Sequence, residues 1–188
     1  MSIKSGIKSF VGKIRKMRFR ISRFGKGSYI GRHCNISGGK TITIGEKVTI
    51  RPFVDLWSNG KGIVIGDETE IGKGSRISIK NSIDIGKEVL ISPNVYITDC
   101  DHRYDIIEVS VLKQGVLESN NTIVIGDGSF IGINTVIIGN ISIGKHCVIG
   151  ANSVVTKSVP EYCVAVGNPA KVIKRYDFEN RKWIRVNE

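Results

Sequence analysis

The sequence predicts an all-β fold, a solenoid of short parallel strands wound into three flat faces per turn. Two observations carry that prediction. An aliphatic residue ahead of a Gly or another small residue recurs every six positions, and the interruptions to this rhythm stay in register with it. The recurring residues run Ile30, Ile36, Ile44, Ile50, Leu56, Ile65, Ile71, Ile77, Ile85, Ile91, Ile97, Ile125, Ile131, Ile137, Ile143, Ile149 and Val155. Taken in threes, the steps into the first and second members are six residues. The step into the third is 8, 9, 8, 28 and then 6. Every insertion therefore falls at one corner of a three-sided coil.

The physics of such a coil is simple. Each face is a strand whose inward aliphatic stacks on its equivalent one turn away, building columns of Ile and Val. Gly after the aliphatic allows the backbone to turn where a β-carbon would crowd it. A single coil cannot bury its own inner face, so stability comes from stacking and both ends need caps. About five to six coils are expected over residues 30–159.

The flanks follow in order. Within residues 1–29, the stretch 1–24 places Ile3, Ile7, Phe10, Val11, Ile14, Met17 and Ile21 at helical spacing between Lys and Arg. That pattern predicts a basic amphipathic helix. Two readings stay open for it: a packed cap with a solvated charged face, or a peripheral contact with an anionic membrane surface. Residues 160–188 leave the hexad rhythm and are expected to form an irregular C-terminal cap.

Charge and composition narrow the function classes. Of the net charge of +11, all is placed by the 11 Lys and Arg that precede the first acid, Glu46; beyond it basic and acidic residues balance. A neutral core with a basic arm argues against a nucleic-acid surface. No apolar stretch approaches the ~18 residues of a membrane span, and the N-terminus lacks a secretory h-region, which makes the cytoplasm the expected compartment. Cys34, Cys100, Cys147 and Cys163 show neither a C-x-x-C pair nor metal-ligand spacing, so free thiols are expected.

The longest insertion is where chemistry is expected. Residues 98–122 open with Thr98-Asp99-Cys100-Asp101-His102-Arg103-Tyr104-Asp105. An excursion of that length from a regular solenoid is functional or disordered. His is the side chain best suited to proton transfer near neutral pH. That makes His102 the candidate general base, with Asp99 and Asp101 as candidate supports. Cys100 is a weaker candidate nucleophile, since nothing in the sequence pairs it with His102.

Three stretches now carry a family resemblance: Ile91-Ser92-Pro93-Asn94-Val95 leading to Asp101-His102, Ile149-Gly150-Ala151-Asn152-Ser153-Val154-Val155-Thr156-Lys157, and Val166-Gly167-Asn168-Pro169-Ala170-Lys171-Val172-Ile173-Lys174. Over residues 83–174 the chain resembles the hexapeptide-repeat acyltransferases. The similarity is greatest to the maltose and galactoside O-acetyltransferase branch and its capsule and O-antigen relatives. The resemblance implies a left-handed parallel β-helix, a hand that runs against the usual crossover rule. It also implies a homotrimer with sites between subunits and acetyl-CoA as co-substrate, with no metal. His102 would take the proton of a sugar hydroxyl as that hydroxyl attacks the thioester directly. The acyl-CoA groove would include Phe130, the backbone of Gly132 and Ile133, then Gly150 and Ala151, with Thr156, Lys157, Lys171 and Lys174 toward the pantetheine and phosphates. One departure stands out: the galactoside branch carries an acceptor-contacting Asn where this chain has Gly72. Cell-surface polysaccharide or its precursor is therefore the expected acceptor, rather than a free galactoside.

Alternatives remain at this level. N-acetylation of an amino sugar or acetylation of serine would use the same machinery. A γ-class carbonic anhydrase needs three His around zinc, and this chain has only His33, His102 and His146, without the H-x-x-x-x-H pair. A non-catalytic scaffold would have no use for the loop His.

Overall fold

A computed structural model describes residues 17–186. The chain winds as a three-sided parallel solenoid. The first and third faces each hold six strands, and the second face holds nine. Within the coils, neighbours in each sheet come from successive turns and pair in parallel.

The Ile and Val columns explain the register. On the second face Ile30, Ile50, Ile71, Ile91, Ile131 and Ile149 stack in consecutive pairings. On the third face the column is Ile36, Leu56, Ile77, Ile97, Ile137 and Val155. The members of both columns are buried. A slip of one residue would turn each column to solvent, which pins the pairing.

The corners are held by polar atoms that the hexad pattern also supplies. Thr69 Oγ1 donates to the Gly86 carbonyl at 2.8 Å and accepts from the Val89 amide at 3.1 Å. Ser28, Ser75 and Ser129 each make the same double bridge to the following coil. Each hydroxyl satisfies two main-chain groups that the turn would otherwise leave unpaired. Thr69→Val keeps the shape and removes both bonds. It should cost about 1–3 kcal/mol, read as a lower denaturation midpoint with an unchanged m-value.

All the insertions lie at the corner that closes each turn, between the third face and the first face of the next coil. Gly39–Thr41, Asn59 to Lys61, Lys80 to Asn81 and the long excursion all sit there. The other two corners are uniform and carry a left-handed residue in every coil, including Lys47, Glu68, Asn94, Asn134 and Asn152. Asn tolerates that conformation well. Phe53 adopts it while stacking on His33 at a centroid distance of 5.1 Å.

Two features differ from the sequence expectation. The solenoid begins before residue 30: Arg23–Phe24 pairs in parallel with the next coil, and Ile21 is buried in the core. Of the expected N-terminal helix, residues 17–19 are helical and the chain turns out of it at Arg20, which has a φ of 54°. Residues 20–24 of that expectation are not helical, and residues 1–16 lie outside the described residues. The C-terminal segment is also more regular than an irregular tail. Cys163–Val166 adds a seventh strand to the second face, and Lys171–Asp177 and Lys182–Arg185 continue that sheet as an antiparallel hairpin. The hairpin covers the open sheet edge, and Tyr176, Phe178 and Trp183 pack edge to face at 5.0 and 5.4 Å.

Candidate active site

The excursion leaves the third face after Tyr96–Thr98 and returns at Thr122–Ile125. Its root is fixed by Asp99, which is fully buried. That carboxylate accepts from the main-chain amides of Lys80 and Asn81, both at 2.7 Å, and of Ser82 at 3.1 Å. The previous coil thus grips the loop where it departs. Further along, Lys80 Nζ donates to the Leu117 carbonyl and Asn81 Nδ2 to the Ser119 carbonyl. The strands of the loop cross through an antiparallel bridge between His102 and Val116. Val111–Gln114 forms a single short helix near the tip.

His102 stands on this loop and lines a pocket of about 390 Å³ together with Trp57, Arg76, Ser78, Tyr96, Thr98, Cys100, Asp101, Val116 and Ile138. The floor is the outer surface of the third face. In one outward row Trp57, Ser78, Thr98 and Ile138 are register partners. The two small residues in the middle leave a hollow between the larger ends. Arg76 and Tyr96 are paired in the neighbouring row. The loop supplies the wall.

Each of the loop's three aspartates has a distinct structural partner. Asp99 is turned into the coil, so its contacts are with amides rather than with the pocket. Asp101 Oδ1 accepts from the His102 main-chain amide at 2.7 Å, and the Asp101 carbonyl accepts from Leu117. Asp105 takes a two-pronged bond from Arg103, whose guanidinium holds that carboxyl below the usual carboxylate range. The Cys100 sulfur meets Thr98 Oγ1 at 3.3 Å. Burial pushes the Cys147 and Cys163 thiols above their ordinary range, as befits inert core residues.

The residues expected to form an acyl-CoA groove fall on both edges of the third face and, for Lys171 and Lys174, on the hairpin that extends the second face. Phe130, Gly132, Ile133, Gly150 and Ala151 follow one another at the corner between the second and third faces. The amides of Gly132 and Gly150 are taken by inter-coil bonds to Ile149 and Ala165 at 2.8 and 2.9 Å. A Cβ on Gly132 would lie 2.5 Å from the Ala151 nitrogen, so closeness of the coils is what this Gly provides. Thr156 and Lys157 are exposed on the closing corner of the last full coil, the same corner that carries the loop. Lys171 lies opposite Val166 and Lys174 opposite Val164 in the C-terminal hairpin. At Gly72 a Cβ would lie 2.3 Å from the Ser92 carbonyl carbon, so this corner as folded admits no side chain.

Sequence reasoning missed Trp57, Arg76, Ser78, Tyr96 and Ile138. Their signal was positional: Trp57, Ser78 and Ile138 follow the Leu56, Ile77 and Ile137 column toward the corner that carries the loop, and Arg76 and Tyr96 occupy the outward slots just before Ile77 and Ile97. His33, His102 and His146 lie at three different corners. Among the described residues, no three His, Cys, Asp or Glu come together as a metal site, and no helix is long and apolar enough to cross a membrane.

Comparison with known proteins agrees with this architecture. The family model "Bacterial transferase hexapeptide (six repeats)" matches residues 122–157. The model "Hexapeptide repeat of succinyl-transferase" matches residues 62–99. These repeats identify the solenoid as the left-handed parallel β-helix. A protein of Escherichia coli named for lipopolysaccharide biosynthesis O-acetyl transfer is 33% identical, with 80% of each chain covered. The galactoside O-acetyltransferase of the same organism is 33% identical over 75% of this chain and 67% of its own. A Mycobacterium tuberculosis protein named as an acetyltransferase is 35% identical over 72% of this chain, which spans only 43% of that longer relative. Among solved structures, a maltose O-acetyltransferase from Clostridium difficile superposes with a TM-score of 0.59 at 25% identity, covering 93% of this chain and 89% of that one. The N-acyltransferase AntD from Bacillus cereus, solved with dTDP and 3-hydroxybutyryl-CoA, gives 0.78 at 20% identity, covering 92% and 93%, a likeness of fold.

Proposed function

The chain belongs to the hexapeptide-repeat acyltransferase family, and from that premise we propose that it moves an acetyl group from acetyl-CoA to a sugar hydroxyl, with His102 as general base. The observation that carries the reading is His102 lining a pocket of about 390 Å³ on the one long excursion of the coil. A volume in that range suits a small-molecule site.

The chemistry needs little else. Neutral His102 accepts the hydroxyl proton as the oxygen attacks the thioester carbonyl carbon. The tetrahedral oxyanion is stabilised by main-chain amides. The C–S bond then breaks, the CoA thiolate takes the proton back from the imidazolium, and an acetyl ester and free CoA leave. No covalent enzyme intermediate is formed. Phe130, Gly132, Ile133, Gly150, Ala151, Thr156, Lys157, Lys171 and Lys174 are the groups assigned to hold acetyl-CoA, with the lysines as point charges for its phosphates.

The reading extends to the assembly and the setting. Ile107 and Leu112 on the loop are 89% and 91% exposed, and Tyr104 beside them is 67% exposed. Apolar side chains displayed in this way support burial against a neighbouring copy, in keeping with a homotrimer. The similarity to a lipopolysaccharide-biosynthesis relative supports a role in cell-surface polysaccharide, in the cytoplasm and at the inner face of the membrane. Contact through residues 1–24 would be seen as flotation with anionic liposomes that is lost when those residues are removed.

The test is thiol release from acetyl-CoA in the presence of sugars, nucleotide sugars and polysaccharide fragments. Release with a hydroxyl acceptor supports the reading. Release only with amino sugars would move the assignment to N-acetylation. A protein that neither releases thiol nor gains melting temperature with acetyl-CoA would be a scaffold instead.

A further inference from the structure

The pocket floor says more about the acceptor than the catalytic His does. Arg76 projects from the third face into the pocket lining. Its protein partner among the described residues is Asp55, at 3.7 Å through Nε, and the Arg76 side chain remains 60% exposed. Asp55 in turn accepts from Asn35 Nδ2 at 3.2 Å. The terminal nitrogens of the guanidinium fork therefore have no protein acceptor among the described residues. The other charged lining group, Asp101, is engaged with the His102 amide.

Trp57 gives the second half of the argument. It lines the His102 pocket and also a second hollow of about 410 Å³ with Asn59, Lys80, Cys100, Val116 and Glu118. The two hollows share Trp57, Cys100 and Val116, so they adjoin one another at the indole. An indole presents a broad apolar surface with a polar edge, which suits a sugar ring. Space on both sides suits more than one ring.

Resting on the acetyl-transfer reading for the identity of the pocket, we propose that the acceptor is an acidic saccharide. One ring lies in the hollow beside His102, the chain passes Trp57, and an anionic group on the sugar is held by Arg76. A planar fork with two free nitrogens matches a carboxylate or a phosphate in a two-pronged bond. A neutral sugar would leave that fork without a partner.

Calorimetric titration of the full chain without acetyl-CoA tests this independently of turnover. Three probes are used: a glucuronate-containing disaccharide, its phosphorylated counterpart and the matching neutral disaccharide. At least one anionic probe should bind about 10–100-fold more tightly than the neutral one, and whichever binds identifies the anion as carboxylate or phosphate. Arg76→Ala should abolish that preference, bringing the anionic probes to the affinity of the neutral one. Arg76→Lys should recover only part of it. Equal affinity for all three probes, or a preference that survives Arg76→Ala, overturns the proposal. Thiol release measured in parallel reports on acetyl transfer alone, so failure there with selective acidic binding would sink the enzymatic reading and leave Arg76 as the anion contact of a saccharide-binding pocket.

Discussion

His102→Ala is expected to lower the turnover of acetyl-CoA by about 10²–10⁴-fold, the usual contribution of a positioned general base. The substitution suits a clean test because the bonds His102 makes to the fold are through its main chain. Its amide donates to Asp101 and its bridge pairs it with Val116, and both survive truncation of the ring. The side chain is exposed, so little packing is lost. Melting temperature and the shift produced by acetyl-CoA should match the wild type. His102→Asn, which restores a polar group but cannot take a proton, should be equally slow. A variant that turned over at the wild-type rate would remove His102 from the reaction and leave the loop without its assigned task.

The architecture was legible because each coil repeats one physical requirement. A buried aliphatic every six residues has no other way to be satisfied in a solenoid, and insertions that shared a corner revealed the number of faces. The ends were less legible for the same reason. Ile21 joins the core but sits within a stretch whose Lys and Arg spacing also fits a helix. The strand Lys171–Asp177 alternates exposed and partly buried residues, yet Ile173 in an outward slot and Lys174 in a partly buried one mask the pattern. Within the site, His102 stood out by its place in the insertion. Trp57, Arg76 and Tyr96 did not, because outward positions of a solenoid face carry no periodic constraint. Only folding shows which of them share a wall with the loop.

The three aspartates around His102 show the limit of reasoning from proximity in sequence, and Asp99 gives the second large effect. Asp99→Ala is expected to destabilise the protein by about 3–5 kcal/mol, as happens when one partner of a buried charged network is removed. Three amides, those of Lys80, Asn81 and Ser82, lose their acceptor at once. Lys80, Asn81 and Ser82 are themselves only half-buried, so water can reach part of the space and the cost stays below the sum of three separate bonds. For a chain of this size the loss corresponds to a fall in melting temperature on the order of 10 °C. Asp99→Asn keeps one acceptor but turns an amide group toward the other donors, and should fall between the two. Activity should drop with the loop geometry, while the pH profile of the residual turnover keeps its shape, since Asp99 acts on the coil and not on the imidazole. An Asp99→Ala protein with wild-type melting and a displaced pH profile would reverse that assignment and return Asp99 to the role of orienting His102.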